Sequence, residues 1–382
     1  MKLGVIGTSN KENEQRIPIH PDHLGRLSES VRRQLVFEEG YGEALGISDA
    51  ELAQQTGGTA TREELLADLG SVILAKPETA DLELLREGGL LWGWPHCVQQ
   101  QAMTQVAIDR RQSLIAFEDM FVWGPDGHQG RHTFYKNNEL AGYCGVLHAL
   151  QLRGIDGHYG KQRKVVIISF GAVSRGAAYA LQAHGFNDIT ICIQRPDHYV
   201  REEVPGCHYV RVRQGEAGEP RQLVVDHDGT ERPFLDLLGE ADIIVNGIYQ
   251  NPDNPLMFVT ADEVPLLKKR CLIVDVSCDE GMGFSFAKPT TFDEPMFRFG
   301  TVDYYGVDHT PSYLWESASR SISAALVVHL PSVLAGRDHW NENETIRRAV
   351  VIDQGVVVRP EVLSFQNREA EYPHRLVASG SA

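Results

Sequence analysis

Val165-Val166-Ile167-Ile168-Ser169-Phe170-Gly171-Ala172-Val173-Ser174-Arg175-Gly176 is the stretch on which the fold turns. Four consecutive β-branched residues read as a strand buried on both faces, as strands of parallel sheets are. The turn after it is a degraded G-x-G-x-x-G, with Ser169 and Ser174 at the first and third glycine positions and Gly171 at the second. A helix over 177–184 and a strand over 189–193 follow. Strand, turn, helix, strand is the unit that lays helix N-terminal N–H groups against a pyrophosphate. Gly171 has no side chain to hold the backbone away, and Ala172 and Val173 sit beside it, so these three are the candidate cofactor contacts. The plainer reading is an ordinary strand-to-helix turn of an α/β protein.

The second strand ends Ile193-Gln194-Arg195, with no carboxylate before Asp197. A site for NAD(H) usually offers Asp or Glu there to the ribose 2′-hydroxyl, whereas a guanidinium fork suits the 2′-phosphate of NADP(H). Arg195 therefore tips the expectation to NADP(H) over NAD(H). Alternatively Arg195 is a solvated arginine, and Asp197 or the backbone receives NAD(H).

Downstream, apolar runs at 243–245 and 271–276 continue the same sheet, and a helix is expected over 312–335, where Ile322, Leu326, Leu330 and Val333 keep helical spacing. Upstream, Lys2–Gly7 reads as a first strand, and further strands are expected at 72–76, 90–94 and 114–117. Between them lie helical patterns such as Glu63-Glu64-Leu65-Leu66-Ala67-Asp68-Leu69. Loop composition over 121–132 precedes a helix over 138–153 and the basic Lys161-Gln162-Arg163-Lys164, and a hinge is placed there. The polar tail after Arg337 holds strands at 350–352 and 356–358. The alternation predicts an α/β protein with parallel sheets, and the expected arrangement, which the resemblance set out below implies, is two Rossmann-like domains with a cleft between them and long linking helices. The expected boundaries are a discontinuous substrate and catalytic domain, 1–137 plus 312–382, and a dinucleotide-binding domain, 138–311.

A chain of 382 residues is long for one domain. Its formal charge of −16 disfavours phosphate backbones and anionic membranes as partners, leaving small metabolites. No apolar run reaches the roughly 20 residues that span a bilayer, and the opening is no export signal, so a cytoplasmic protein is expected. Six scattered cysteines, with no Cys-x-x-Cys and no histidine cluster at metal spacing, read as reduced core thiols, and no metal is expected. Assembly into a homo-oligomer is left open.

Motifs in order along the chain carry a resemblance. They are Lys11-Glu12-Asn13-Glu14-Gln15-Arg16-Ile17-Pro18, Glu38-Glu39-Gly40-Tyr41-Gly42, Ala75-Lys76-Pro77-Glu78, and Trp94-Pro95-His96-Cys97 with Gln101. After them come Tyr135-Lys136-Asn137, Ala141-Gly142-Tyr143-Cys144-Gly145-Val146-Leu147, Val274-Asp275-Val276-Ser277-Cys278-Asp279, Val307-Asp308-His309-Thr310-Pro311-Ser312 and Glu316-Ser317-Ala318-Ser319. Together these resemble the alanine dehydrogenase and transhydrogenase superfamily, and within it saccharopine dehydrogenase (lysine-forming) and N5-(carboxyethyl)ornithine synthase. Two departures stand out: Pro77 follows Lys76 directly, and Trp315 stands where saccharopine dehydrogenase has Pro-Arg.

The resemblance implies a dehydrogenase acting on a CH–NH bond, which condenses an amino acid's amine reductively with a 2-oxo acid or cleaves the product oxidatively. Its substrates would be small amino and 2-oxo acids. Lys76 and His96, each after a predicted strand, would be the proton-transfer pair, with His96 the base because imidazole titrates near neutrality. Arg16 would grip a substrate carboxylate, and Glu118 would bind substrate or tune Lys76 and His96. Asp279 and Asp308 would face the cofactor's nicotinamide end, and Arg131 and Lys136 are further cations for a substrate with several carboxylates. The bland alternatives are a packed histidine, a solvated lysine, a loop arginine, a solvated acid, and a helix cap at Asp308. Two other functions remain open: oxidative deamination of the alanine dehydrogenase type, and a non-catalytic dinucleotide-binding regulator.

Overall fold

The computed structural model describes residues 1–194, 202–226, 228–250 and 254–377. They gather into two compact units, Met1–Tyr135 with Trp315–Ala382, and Lys136–Leu314.

In the first unit β1 (Leu3–Ile6), β2 (Leu35–Glu38), β3 (Thr59–Ala60), β4 (Ser71–Leu74), β5 (Leu90–Gly93) and β6 (Ser113–Ala116) lie in the order β3-β2-β1-β4-β5-β6, all parallel. Alternate side chains leave a strand on opposite faces, and the core divides accordingly. Leu3, Val5, Ile73, Trp92 and Ile115 belong to one apolar layer, and Ile6, Val72, Leu74, Leu91 and Leu114 to the other. Such a sheet, covered on both sides, explains why its strands read as unbroken apolar runs.

The second unit opens with α1 (Tyr135–Arg153), whose first residue belongs to the first unit. It continues through β7 (Lys164–Ile168), α2 (Ala172–Ala183), β8 (Asp188–Ile193), β9 (His208–Gln214), β10 (Ile243–Asn246), β11 (Leu272–Asp275) and β12 (Val302–Tyr305). Their order is β9-β8-β7-β10-β11-β12, again all parallel, with antiparallel strands added at both edges. Both sheets thus share one strand order, 3-2-1-4-5-6. Each reverses direction beside its first strand, between β1 and β4 and between β7 and β10, where open α/β sheets form ligand crevices beyond their strand ends.

The chain then returns to the first unit through α3 (Trp315–Leu326). It ends its sheet with β13 (Val350–Asp353), antiparallel to β6, and a short partner strand, Val356–Val357. Two expectations are corrected. The helix over 312–335 is three pieces: a 3-10 turn Thr310–Leu314, α3, and a separate helix Leu330–Leu334. Pro331 explains the second break, since proline lacks an N–H and disfavours helical backbone at the residue before it. The segment 121–132 is a β-hairpin, Phe121–Trp123 against Gln129–His132, closed by Gly124 N–H donating to the His128 carbonyl. Pro125-Asp126-Gly127, with Gly127 at φ 78°, is here a hairpin turn. No helix among the described residues is long and apolar enough to cross a membrane.

Candidate active site

Leu74, Gly93 and Ala116, the last residues of β4, β5 and β6, sit side by side in one register row. The pairing runs one step further, with Trp94 N–H donating to the Ala75 carbonyl at 3.0 Å. Lys76, His96 and Glu118 therefore emerge two or three residues beyond a common line, at the carboxyl edge of adjacent parallel strands. His96 has φ 46°, a left-handed backbone unusual for a residue with a side chain. Its N–H donates to Glu118 Oε1 at 2.8 Å, and its ring Nδ1 lies 3.9 Å from the same oxygen.

Glu118 is itself held. The His132 ring accepts from Phe134 N–H through Nδ1 at 3.1 Å. In the neutral tautomer, which burial favours by lowering the His132 pKa to about 4, Nε2–H then donates to the Glu118 carbonyl at 3.1 Å. Although the Glu118 side chain is 26% exposed, its Oε2 is shut off from solvent and finds no hydrogen-bond partner among the described residues. Burial pushes the carboxyl up to about 7, against the opposing pull of the His96 N–H and the charges of Lys76 and Arg359.

Arg16 is buried. Its Nε and Nη2 form a two-pronged ion pair with Glu14, at 2.8 and 2.5 Å, and its guanidinium lies 5.2 Å from the Trp94 ring centre. The loop is pinned just beyond, where Ile17 N–H donates to Ser319 Oγ on α3 at 3.0 Å. Glu14 was given no role from sequence; the Glu-x-Arg spacing was the available signal. The acidic Glu38 is structural, accepting from Gly7 N, Thr8 N and Thr8 Oγ1 at the end of β1.

In the second unit Gly171 caps α2 with extended backbone, and a Cβ built there would meet no atom of the described residues within 4 Å. Among the described residues nothing in the packing demands glycine at this point, while a pyrophosphate against the helix N-terminus would. Ser169, in place of the motif's first glycine, takes the left-handed backbone that glycine would adopt, φ 75°, and shares a 3.3 Å hydrogen bond with Ser174. A cavity of about 510 Å³ runs from Ser169 past Ile193 and Gln194 at the end of β8 to Ile248 and Gln250 after β10. Its volume suits a bound metabolite. The strand, turn and cavity together have the form of a dinucleotide seat.

Beside this crevice lies a buried knot that sequence reasoning missed. Asp275, at the end of β11, accepts from Asn246 Nδ2 on β10 (3.0 Å), Tyr304 Oη on β12 (2.9 Å) and Cys278 N–H (2.9 Å). Burial raises its pKa to about 6 in spite of these donors. The knot fixes the loop carrying Asp279, a half-buried acid whose pKa burial also raises. Asp308 accepts from its neighbour His309 through Nδ1 at 2.6 Å. Arg195 lies outside the described residues, Arg131 stacks on Tyr135 at 4.4 Å, and Lys136 pairs with Glu139 at 2.6 Å.

A sheet ordered 3-2-1-4-5-6 that opens on a glycine turn, joined in one chain to a like sheet with ionisable groups along its carboxyl edge, is the construction of a two-domain, nicotinamide-dependent dehydrogenase. The chain belongs to the alanine dehydrogenase/PNT family, whose N-terminal domain matches residues 6–127 and C-terminal domain residues 153–360. It is 28% identical over 354 residues to N(5)-(carboxyethyl)ornithine synthase of Clostridium botulinum, covering 87% of this chain and 94% of that one. It is 24% identical to alanine dehydrogenase of Mycobacterium tuberculosis, over 95% and 96% of the two chains. A solved L-alanine dehydrogenase shares the fold with a TM-score of 0.72 at 17% identity, over 96% of this chain and 99% of that one.

Proposed function

We propose that the protein is a nicotinamide-dependent oxidoreductase that joins the amine of an amino acid to a 2-oxo acid as a secondary amine, or cleaves such a product in reverse. The observation that carries this reading is the alignment of Lys76, His96 and Glu118 beyond one register row, in a family whose relatives include an enzyme named for a carboxyethyl group on an amino acid nitrogen. That relative favours joining over the simple deamination of an alanine dehydrogenase.

The reaction needs a proton moved at nitrogen and at the carbon-bound oxygen. A bound nicotinamide supplies or accepts the hydride. His96 serves as the base, oriented by its backbone bond to Glu118, and Lys76 holds or polarises the carbonyl or imine. Glu118, which titrates near neutrality, sets the charge felt by both. Arg16 meets a substrate carboxylate from its seat on Glu14 and Trp94. Asp279 and Asp308 act at the nicotinamide end. In this reading the unit holding Lys76 and His96 binds substrate, the unit holding Gly171 binds the dinucleotide, and the enzyme works in the cytoplasm, alone or as a homo-oligomer.

NADP(H) is proposed over NAD(H), on the strength of Arg195 after β8 and no carboxylate before Asp197. The test is a spectrophotometric matrix of NADPH and NADH with 2-oxo acids and amino acids, followed by mass analysis of the product. A secondary amine is the expected product; a simple amino acid formed with ammonia would establish deamination instead. No dinucleotide turnover with any pair, alongside tight dinucleotide binding, would favour the regulator. Preference for NADH by the wild type, or an unaltered preference in Arg195→Asp, would remove the argument from Arg195.

A further inference from the structure

Two basic runs in this acidic chain, Lys161-Gln162-Arg163-Lys164 and Lys268-Lys269-Arg270, play no part in the reaction above. They stand about a hundred residues apart in sequence, and the sheet brings them together. Val165, Ile243 and Leu272 share one register row of β7, β10 and β11, so the residues ahead of each strand emerge at the same amino edge. Arg153, in the last turn of α1, joins them. Arg153, Lys161, Arg163, Lys268, Lys269 and Arg270 line a pocket of about 230 Å³.

Carboxylates neutralise only part of this charge. Asp242 takes Lys268 at 3.0 Å and Lys161 at 3.5 Å, besides the Lys164 N–H. The buried Asp303 takes Arg153 at 2.8 Å, Arg298 at 2.8 Å and Arg270 at 3.9 Å. Among the described residues Arg163 and Lys269 pair with no carboxylate, and Arg153 Nε is buried without a hydrogen-bond partner. Burial lowers the Arg153 pKa, and although the neighbouring Asp303 opposes the shift, the charges of Arg270, Arg298 and Arg163 add to it. The carbonyl end of α1 contributes roughly half a negative charge, far short of the excess of six cations over two acids.

We propose that this pocket binds a small phosphorylated anion of two or more charges. Arginine forks and lysine point charges together are the donors phosphate oxygens prefer. The volume equals that of about eight liquid waters, enough for a pyrophosphate-sized group and too confined for a folded acidic surface. At roughly 3.3 Å per residue, five-residue β7 sets the pocket about 15 Å from the turn at Gly171, so it is separate from the seat of the dinucleotide phosphates. The inference does not depend on which reaction the enzyme performs.

The test is calorimetric titration of pyrophosphate into the intact protein at ionic strength held constant with KCl, with and without saturating NADPH. Arg163→Gln/Lys269→Gln is the variant, because it leaves the Asp242 and Asp303 pairs in place; Lys269→Gln alone serves if the double variant melts at a lower temperature. One saturable site is expected, unaltered by NADPH and weakened tenfold or more in the double variant, the usual scale for losing charged hydrogen bonds. Absent saturation, equal binding by the variants, or competition with NADPH would overturn the proposal.

Discussion

Lys76 and His96 are proposed to act together, and two residues sharing one proton transfer do not have additive effects. Lys76→Met and His96→Gln are each expected to lower kcat by about a hundredfold or more with dinucleotide affinity nearly intact, and the double variant to be little worse than the poorer single one. Near-normal turnover by His96→Gln across the pH range would leave His96 a packed histidine. Glu118 loses its proton as pH rises through about 7, and the resulting carboxylate favours a protonated His96. Glu118→Gln stays neutral at every pH, so a bend near pH 7 in kcat/KM is expected to vanish or shift. Arg16 calls for a gentler change than deletion, since the guanidinium is also the ion-pair partner of buried Glu14, and breaking a buried pair costs about 3–5 kcal/mol. Arg16→Lys keeps the charge and loses the fork; KM for the carboxylate substrate should rise more than kcat falls. Lys76, His96 and Glu118 were legible because each follows an apolar run, and Arg16 because it stands in the Glu-x-Arg motif that carries the resemblance. Glu14 was not, because a partner two residues away becomes a partner only when the loop folds back.

At the level of elements, the glycines Gly142, Gly176 and Gly171 of the second unit divide between two roles. A Cβ on Gly142 of α1 would lie 1.8 Å from the Val173 carbonyl oxygen, and one on Gly176 of α2 would lie 1.8 Å from that of Glu139. The two helices therefore touch backbone to backbone. Gly142→Val should cost at least about 3 kcal/mol in denaturant unfolding, as backbone overlap cannot be relieved by a rotamer. Gly171→Ala should leave the melting temperature nearly unaltered and weaken dinucleotide binding about tenfold. Equal effects of the two substitutions on both measurements would contradict this division. The Asp275 knot gives a pH signature. Its pKa is raised on folding from 3.8 to about 6, so its contribution to stability is fully present below pH 3.8 and is lost as pH rises through 6, by on the order of 3 kcal/mol. Asp275→Asn does not titrate, and its stability deficit against the wild type should shrink between pH 4 and pH 8. A constant deficit would mean that the buried carboxyl does not titrate in this range. Sequence patterns located β7, β8, β10 and β11 because each is built on a run of buried apolar residues. They passed over His208–Gln214, which alternates with charge, and Val302–Tyr305, where Asp303 interrupts the apolar pattern.

Across the whole molecule, the family and the α/β class were legible from the order of short motifs, while the repetition of one strand order in both sheets was not. That repetition depends on β2, β3, β9 and β12, which are short or partly polar strands with little periodicity to detect. The proposed preference for NADP(H) rests on Arg195, beyond the described residues, and the paired basic runs gained meaning only when neighbouring strands aligned them. One consequence of the architecture concerns synthesis. β6 receives its outer neighbour from β13, Val350 facing Ile115, so the 233 residues from 117 to 349, including the entire second unit, must be translated between the two strands. At about 5–20 residues per second, a ribosome leaves the apolar edge of β6 bare for roughly 10–50 s, and a bare edge recruits strands from other chains. Nascent chains should therefore depend on chaperones during that interval, and a chain stopped after Leu334 should collect in the insoluble fraction where the full-length protein does not. Recovery of that shortened chain as a soluble monomer would show that the edge is guarded by some other means until its partner arrives.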